Sequence, residues 1–165
     1  VRKPIQCKYS KVVEPGAFMP LDRVGFRLNP MLNHFHGITV DEDTVPMWEH
    51  VVRTANGYGL AYLHLTEPLS PKQVANTPGT LLDVGAHFRP IATMPIISNG
   101  ALDQAKGEAR LAANLCDAVA YGMAWIANPD LVERFRRGAP LNEPDRDTFY
   151  QGGEKGYLDY PTLAA

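Results

Sequence analysis

Cysteine and long apolar runs are both scarce in this sequence. The chain has only two cysteines, Cys7 and Cys116, which is too few for a disulfide framework and suits a reducing cytoplasm. The longest apolar stretch, from Ala118 to Ala127, has about half the length that an α-helix needs to cross a bilayer. No apolar core of a signal peptide follows Arg2 and Lys3. We therefore expect a soluble, cytoplasmic protein.

An excess of one sign of charge is also missing. The 16 basic and 18 acidic residues give a net charge of −2, and the basic residues are scattered along the chain. Nucleic acid and anionic membrane surfaces are bound by clustered basic residues, so we expect neither partner. With 165 residues, 45% of them apolar, the chain can form one domain with its own core. Its first residue is Val1 rather than methionine, which suggests that the gene starts further upstream.

Four short runs rich in apolar and β-branched residues alternate with helical segments. The predicted strands cover residues 23–28, 60–65, 94–98 and 117–122. The predicted helices are a segment over 45–55 with Asp43 or Thr44 as cap, a weaker one within 79–88, one over 103–115, and one opened by Asn128 and Pro129 and stopped by Gly138. Because the connections are too long for hairpins, the strands should be parallel and covered by helices. A doubly wound α/β sheet and part of an eight-unit barrel both fit this order.

Two of these strands end on glycine just before a helix. Gly100 follows Asn99 after the third strand, and Gly122 follows the fourth. Glycine there lets a ligand approach the backbone, and the N–H groups at a helix start bind phosphate. For a single glycine, positive φ in a tight turn is the simpler interpretation. The repetition on neighbouring strands favours one shared phosphate site.

The strand motifs and the tail together resemble the old yellow enzymes, which are FMN-dependent ene reductases built on a TIM barrel. In chain order, "RVGFRLNP", "YLHLTEP", "PIISNGAL" and "AVAYGMAWIANPDL" are similar to the family's fifth to eighth strands, and "GAPLNEPDRDTFYQGGEKGYLDYPTL" to its C-terminal tail. The resemblance implies an α/β (β/α)8 fold of which only the second half is present. Residues 1–20 would then be an unmatched leader, and residues 21–165 the C-terminal half of an FMN-binding barrel.

The resemblance also implies roles for single residues. Arg27 would stabilise the negative charge of reduced FMN at the flavin's pyrimidine edge, whereas in isolation an ion pair with a carboxylate is the simpler interpretation. Phe149 would lie near the dimethylbenzene end of the flavin, and Tyr150 near the substrate. Without the resemblance, both aromatic residues are interpreted as anchors of the tail.

The implied phosphate site comprises Asn99, Gly100, Gly122 and the backbone of Met123. The family commonly has arginine where this chain has Met123. Loss of that charge-assisted bond should weaken FMN binding by about 1.5–3 kcal/mol, unless another basic side chain replaces it.

Three histidines are candidates for chemistry of their own. His34 and His36 would lie on one side of an extended segment, but no third ligand has convincing spacing, so we predict no metal and a substrate-side loop. His64 lies inside an apolar strand and is predicted to be a hydrogen-bonded core residue rather than a proton donor.

The activity that the resemblance implies is hydride transfer from NAD(P)H through FMN to an activated alkene such as an enone or a nitroalkene. The family's substrate-binding histidine pair and its acidic tyrosine belong to the missing half, so no catalytic acid is assigned and catalysis would require that half. The alternative is a truncated, non-catalytic half barrel that serves as a vestigial or interaction domain. Exposed sheet edges predict self-association or a partner that supplies the N-terminal half.

Overall fold

The computed structural model describes residues 19–33, 39–68, 79–151 and 153–163, so Cys7, His34 and His36 lie outside the described residues. The strands are β1 (Gly25–Leu28), β2 (Tyr62–Thr66), β3 (Ile96–Asn99) and β4 (Ala118–Ala120). The helices are α1 (Thr44–Ala55), α2 (Val84–Phe88), α3 (Gln104–Ala112), α4 (Met123–Ala127) and α5 (Leu131–Arg137). Single 3-10 turns cover Leu21–Arg23 and Asn56–Tyr58. None of the described helices is long and apolar enough to cross a membrane.

Each strand pairs in parallel with the next strand along the chain, in the spatial order β1-β2-β3-β4. The predicted strand positions and their parallel arrangement are confirmed, with ends that differ by one or two residues. In the register, Arg27 lies beside His64, and His64 beside Ile97. Paired residues of parallel strands point to the same face, so these three side chains share one side of the sheet.

The two faces of the sheet differ in burial. Leu63, Leu65 and Ile96 are fully buried against the helices, together with Val52 of α1 and Phe88 of α2. The opposite face carries the alternating residues of the same strands, and its Tyr62 is 39% exposed. The helices thus cover one face of the sheet, as in one sector of a barrel wall.

Aspartates cap two of the helices. The Asp83 side chain accepts a hydrogen bond from the Ala86 N–H, and the Asp103 side chain accepts one from the Lys106 N–H. Asp43 is the N-cap residue of α1 without a side-chain bond. These are helix starts of the ordinary polar kind, and they fix the entry into each βα unit.

The last predicted helix needs a correction at its start. It begins at Leu131 with Asp130 as N-cap residue rather than at Asn128 and Pro129, and it ends as predicted at Gly138, whose φ is 60°. Asn128 cannot serve as its cap because its side chain accepts from the Asn142 N–H and donates to the Ala124 carbonyl. The short helix α4, which precedes it, was not predicted.

The tail folds back along α5 around one buried cation. Arg134 is 4% exposed. Its guanidinium donates to the Asp130 carboxylate at 2.7 Å and to the carbonyls of Pro140 and Pro161 at 2.6 and 2.7 Å. Since these partners are far apart in sequence, Arg134 holds both ends of the tail against the same helix.

Candidate functional site

A cavity of about 430 Å³ lies at the carboxyl ends of β3 and β4. Asn99 and Gly100 line it at the end of β3, and Gly122 and Met123 line it just after β4, where α4 begins. The tail contributes Leu141, Asn142 and Pro144. The structure therefore brings together the four residues predicted to hold a phosphate, at the end of the sheet where parallel α/β folds bind their ligands.

The two glycines of this cavity are needed for different reasons. Gly100 has φ +114°, and an added Cβ would lie 2.7 Å from the Glu67 carbonyl oxygen, so this position requires glycine for the fold itself. Gly122 has φ −98° and ψ −81°, and apart from its two chain neighbours no atom of the described residues lies within 4 Å of a Cβ built on it. Packing does not explain Gly122, and the space beside it leaves its backbone open to the approach of a ligand.

The cavity wall carries no charge among the residues that the structure describes around it. Met123 is 43% exposed at the start of α4. The Asn99 amide is already engaged, because its Nδ2 donates to the Ala120 carbonyl at 2.8 Å. A phosphate would fit this wall through backbone N–H groups, without help from a cationic side chain.

The Arg27 guanidinium lies across the carboxyl ends of three strands. Its Nη2 donates to Thr66 Oγ1 and to Asn99 Oδ1, both at 2.9 Å, and its Nε donates to Asn29 Oδ1 at 3.2 Å. The Thr66 hydroxyl lies 2.6 Å from the same Asn29 oxygen, to which it donates. The ion pairs of the described residues do not include Arg27, so the predicted alternative of a carboxylate partner is not found there.

His64, which pairs with Arg27 in the strand register, lacks the hydrogen bond predicted for it at Nε2. Its Nε2 is buried and meets no hydrogen-bond partner within the described part of the chain, so the prediction of a hydrogen-bonded core histidine is wrong at this atom. Burial, and secondly the positive charge of Arg27, lower the pKa of His64 below its ordinary value. The lowered pKa favours the neutral imidazole beside Arg27.

Behind the cavity lies a buried carboxylate that the sequence analysis missed. Glu67 is 6% exposed and accepts from the N–H groups of Val84 and Gly85, at 2.8 and 2.9 Å, and from Arg110 Nη2 at 2.5 Å. Its own N–H donates to the Asn99 carbonyl at 2.7 Å. Burial raises the pKa of Glu67, whereas the amide and guanidinium bonds oppose that rise. A glutamate directly after an apolar strand was the available signal.

The tail aromatics lie outside the cavity wall. Phe149 is half-buried, whereas Tyr150 is 79% exposed at φ 61°. The ring of Tyr150 lies 6.1 Å from that of Phe149 and 6.1 Å from that of Tyr157, edge to face. A side chain this exposed does not anchor the tail by packing, so the interpretation of Tyr150 as a tail anchor is wrong. The positions of both residues relative to a flavin stay predictions.

Consecutive parallel βα units, with a ligand-sized cavity at the carboxyl ends of the last two strands, define part of a TIM-barrel-type fold. No protein-family model matches the chain. It is 32% identical over 163 residues to 12-oxophytodienoate reductase 2 of Arabidopsis thaliana, covering 96% of this chain and 42% of that relative.

Two solved structures share the fold at higher identity. Morphinone reductase in complex with tetrahydroNAD is 41% identical with a TM-score of 0.73, over 86% of this chain and 36% of its own. The old yellow enzyme from Trypanosoma cruzi is 37% identical with a TM-score of 0.76, over 87% and 36%. The chain belongs to the old yellow enzyme family as a partial barrel that spans 36% to 42% of the length of these relatives.

Proposed function

We propose that this chain forms the phosphate-binding part of an FMN-dependent oxidoreductase, which passes hydride from NAD(P)H to an activated alkene such as an enone or a nitroalkene. The observation that carries the proposal is the cavity at the ends of β3 and β4, where Gly122 leaves the backbone open to a ligand. The reductases among the relatives, one of them bound to a nicotinamide analogue, support the reaction class.

The proposed roles combine the geometry of the cavity with what the family resemblance implies. Asn99, Gly100, Gly122 and the backbone of Met123 would surround the FMN phosphate. Arg27 would face the pyrimidine edge of the flavin with a charge that no described carboxylate neutralises. FMN, when bound, supplies the hydride chemistry, and this chain's residues bind and orient it. Phe149 and Tyr150 would border the flavin and the substrate.

No proton donor is assigned among the described residues. Burial, and secondly the charge of Arg27, lower the pKa of His64, and its Nε2 is buried rather than presented to a substrate. We therefore propose that catalysis requires an N-terminal half that supplies the acid and the substrate-binding pair. A cytoplasmic location and a small-molecule substrate are part of the same proposal.

Flavin binding tests the proposal, and the substitution Met123→Arg tests whether the FMN phosphate lies beside residue 123. The purified chain should bind FMN with a visible absorbance band and quenched flavin fluorescence, and Met123→Arg should tighten FMN binding about tenfold or more by adding a charge-assisted bond to the phosphate. Affinity is measured by fluorescence titration with FMN and, as the matched control, with riboflavin. Riboflavin lacks the phosphate, so the substitution should leave its affinity unchanged.

The second candidate is a non-catalytic half barrel with a vestigial cavity. The uncharged wall around Met123 favours it, because an FMN phosphate would gain no ion pair there. A colourless protein that ignores added FMN, both as it stands and with Met123→Arg, would favour this candidate and contradict flavin binding.

A separate prediction concerns the exposed edges of the sheet, which another polypeptide should cover. β1 and β4 are the edge strands of the described sheet, and Tyr62 and Trp125 are 39% and 48% exposed. Unpaired strand edges beside apolar side chains associate with other chains. We expect self-association of the isolated chain at micromolar concentration in sedimentation velocity, or association with a polypeptide that supplies the other half. A stable monomer that ignores such a polypeptide would contradict this prediction.

A further inference from the structure

The Arg27 side chain is more tightly fixed than an exposed arginine usually is. A free arginine loses about 2 kcal/mol of side-chain conformational entropy when it is held in one rotamer, so exposed arginines normally stay mobile. Arg27 is exposed, yet its guanidinium is bonded to residues from the ends of β1, β2 and β3. All of these partners are neutral acceptors. They hold the charge in place without neutralising it.

Thr66 is the buried anchor of this arrangement. Thr66 is 7% exposed and occupies the last position of β2. A hydroxyl has one hydrogen to donate. Since the Thr66 hydroxyl donates to Asn29 Oδ1 at 2.6 Å, its oxygen is left to accept from Arg27 Nη2 at 2.9 Å. The direction of both bonds is thereby determined, and Asn29 Oδ1 receives the Arg27 Nε as well.

The second fixed point comes from the next strand. Asn99 accepts from Arg27 Nη2 through Oδ1, and its Nδ2 donates to the Ala120 carbonyl of β4. The amide therefore cannot rotate without losing a bond on one side. Hydrogen-bonding groups from four neighbouring strand ends thus form one continuous chain in which Arg27 is the only charged member.

We propose that Thr66 is a positioning residue: it aims the Arg27 charge across the carboxyl end of the sheet, and so determines how much more tightly the site holds reduced, anionic flavin than oxidised flavin. This inference rests on the proposed function. Electrostatic stabilisation depends on a charge that is already in place when the negative charge develops. Without the Thr66 hydroxyl, the guanidinium would lose its buried partner and turn towards water.

The first test uses the chain without flavin. It measures the pKa of His64, which depends on the position of the Arg27 charge. The variants are Thr66→Val, which removes the hydroxyl at nearly constant shape, and Thr66→Ser, which keeps it. In NMR titrations Thr66→Val should raise the pKa of His64, because the charge that helps to lower it moves away, and Thr66→Ser should leave it unchanged.

A double-mutant cycle separates positioning from a general structural effect. In an Arg27→Met background, Thr66→Val should cause no further change in the His64 pKa, because the charge is already gone. If Thr66→Val leaves the pKa unchanged in the natural chain, or changes it equally in both backgrounds, Thr66 does not act through Arg27 and the inference is overturned.

The second test measures the flavin itself. The difference between the midpoint potentials of bound and free FMN gives the ratio of affinities for the reduced and oxidised forms. Thr66→Val should lower that ratio about three- to tenfold, the equivalent of one hydrogen bond, and Thr66→Ser should keep it within about twofold. An unchanged ratio in Thr66→Val would overturn the flavin part. If no variant binds FMN, the proposed function fails with that part, while the His64 titration still decides whether Thr66 positions Arg27.

Discussion

Replacing Glu67 with alanine should lower the free energy of unfolding by about 3–5 kcal/mol, the usual cost of removing one partner from a buried ion pair. The Glu67 carboxylate holds the first N–H groups of α2 and the guanidinium of Arg110, which is itself only 13% exposed. Alanine would leave Asp83, which is 40% exposed, as the only described carboxylate paired with that cation, beside the Ser98 hydroxyl, and would leave two amides unpaired. Urea denaturation followed by circular dichroism measures the loss.

Two further variants make this result specific. Glu49→Ala removes a carboxylate that is 30% exposed and pairs with Arg53 and His87 at the surface, so it should cost no more than about 1 kcal/mol. Adding Arg110→Leu to Glu67→Ala removes the cation that has lost its buried partner, and it should recover part of the stability. A loss below about 1 kcal/mol for Glu67→Ala alone would show that the carboxylate does not anchor these helices.

Gly100→Ala should mainly lower stability, whereas Gly122→Ala should mainly weaken FMN binding. Gly100→Ala forces a side chain to φ +114° and towards the Glu67 carbonyl, so it should cost at least about 1–3 kcal/mol of stability. Gly122→Ala should change stability by no more than about 0.5 kcal/mol, because its Cβ meets no described atom. It should nevertheless weaken FMN binding by narrowing the approach to the backbone. Denaturation and fluorescence titration of both variants check this contrast.

Equal losses of stability in the two glycine variants would contradict the separate reasons given for them. If Gly122→Ala keeps full FMN affinity, the open space above Gly122 is not where the phosphate lies. Gly59 offers a control outside the cavity: it also has positive φ, at 64°, but nothing lies within 4 Å of its added Cβ. Gly59→Ala should therefore cost only the local backbone strain and leave flavin binding intact.

The alternation of strand and helix was readable from sequence because it depends on local patterns. Apolar runs of four to six residues, broken by polar caps such as Asp103, gave the element order and its parallel pairing. The start of α4 was not readable. Ala118 to Ala127 is apolar throughout, and a buried strand and a short helix use the same residue types there. No side chain of the usual helix-capping types, Ser, Thr, Asp or Asn, marks the boundary between them in the sequence.

The candidate site divides in the same way. Gly100 and Gly122 were predicted to meet because they end neighbouring strands, and they line one cavity. Glu67 and Arg110 are 43 residues apart, and their contact depends on how α3 packs behind the sheet. The bond from Thr66 to Asn29 likewise follows from the strand register rather than from any local pattern. Long-range polar contacts of this kind have no signature in a single sequence.

The order β1-β2-β3-β4 also has a consequence for how the chain is made on the ribosome. Each described strand after β1 hydrogen-bonds to the strand synthesised just before it, so none has to enter between two strands that are already paired. The sheet can therefore lengthen one βα unit at a time as the nascent polypeptide emerges. Until the next unit emerges, the newest strand is an unpaired edge that can associate with other chains. Among the described strands, β4 is the last to leave the exit tunnel.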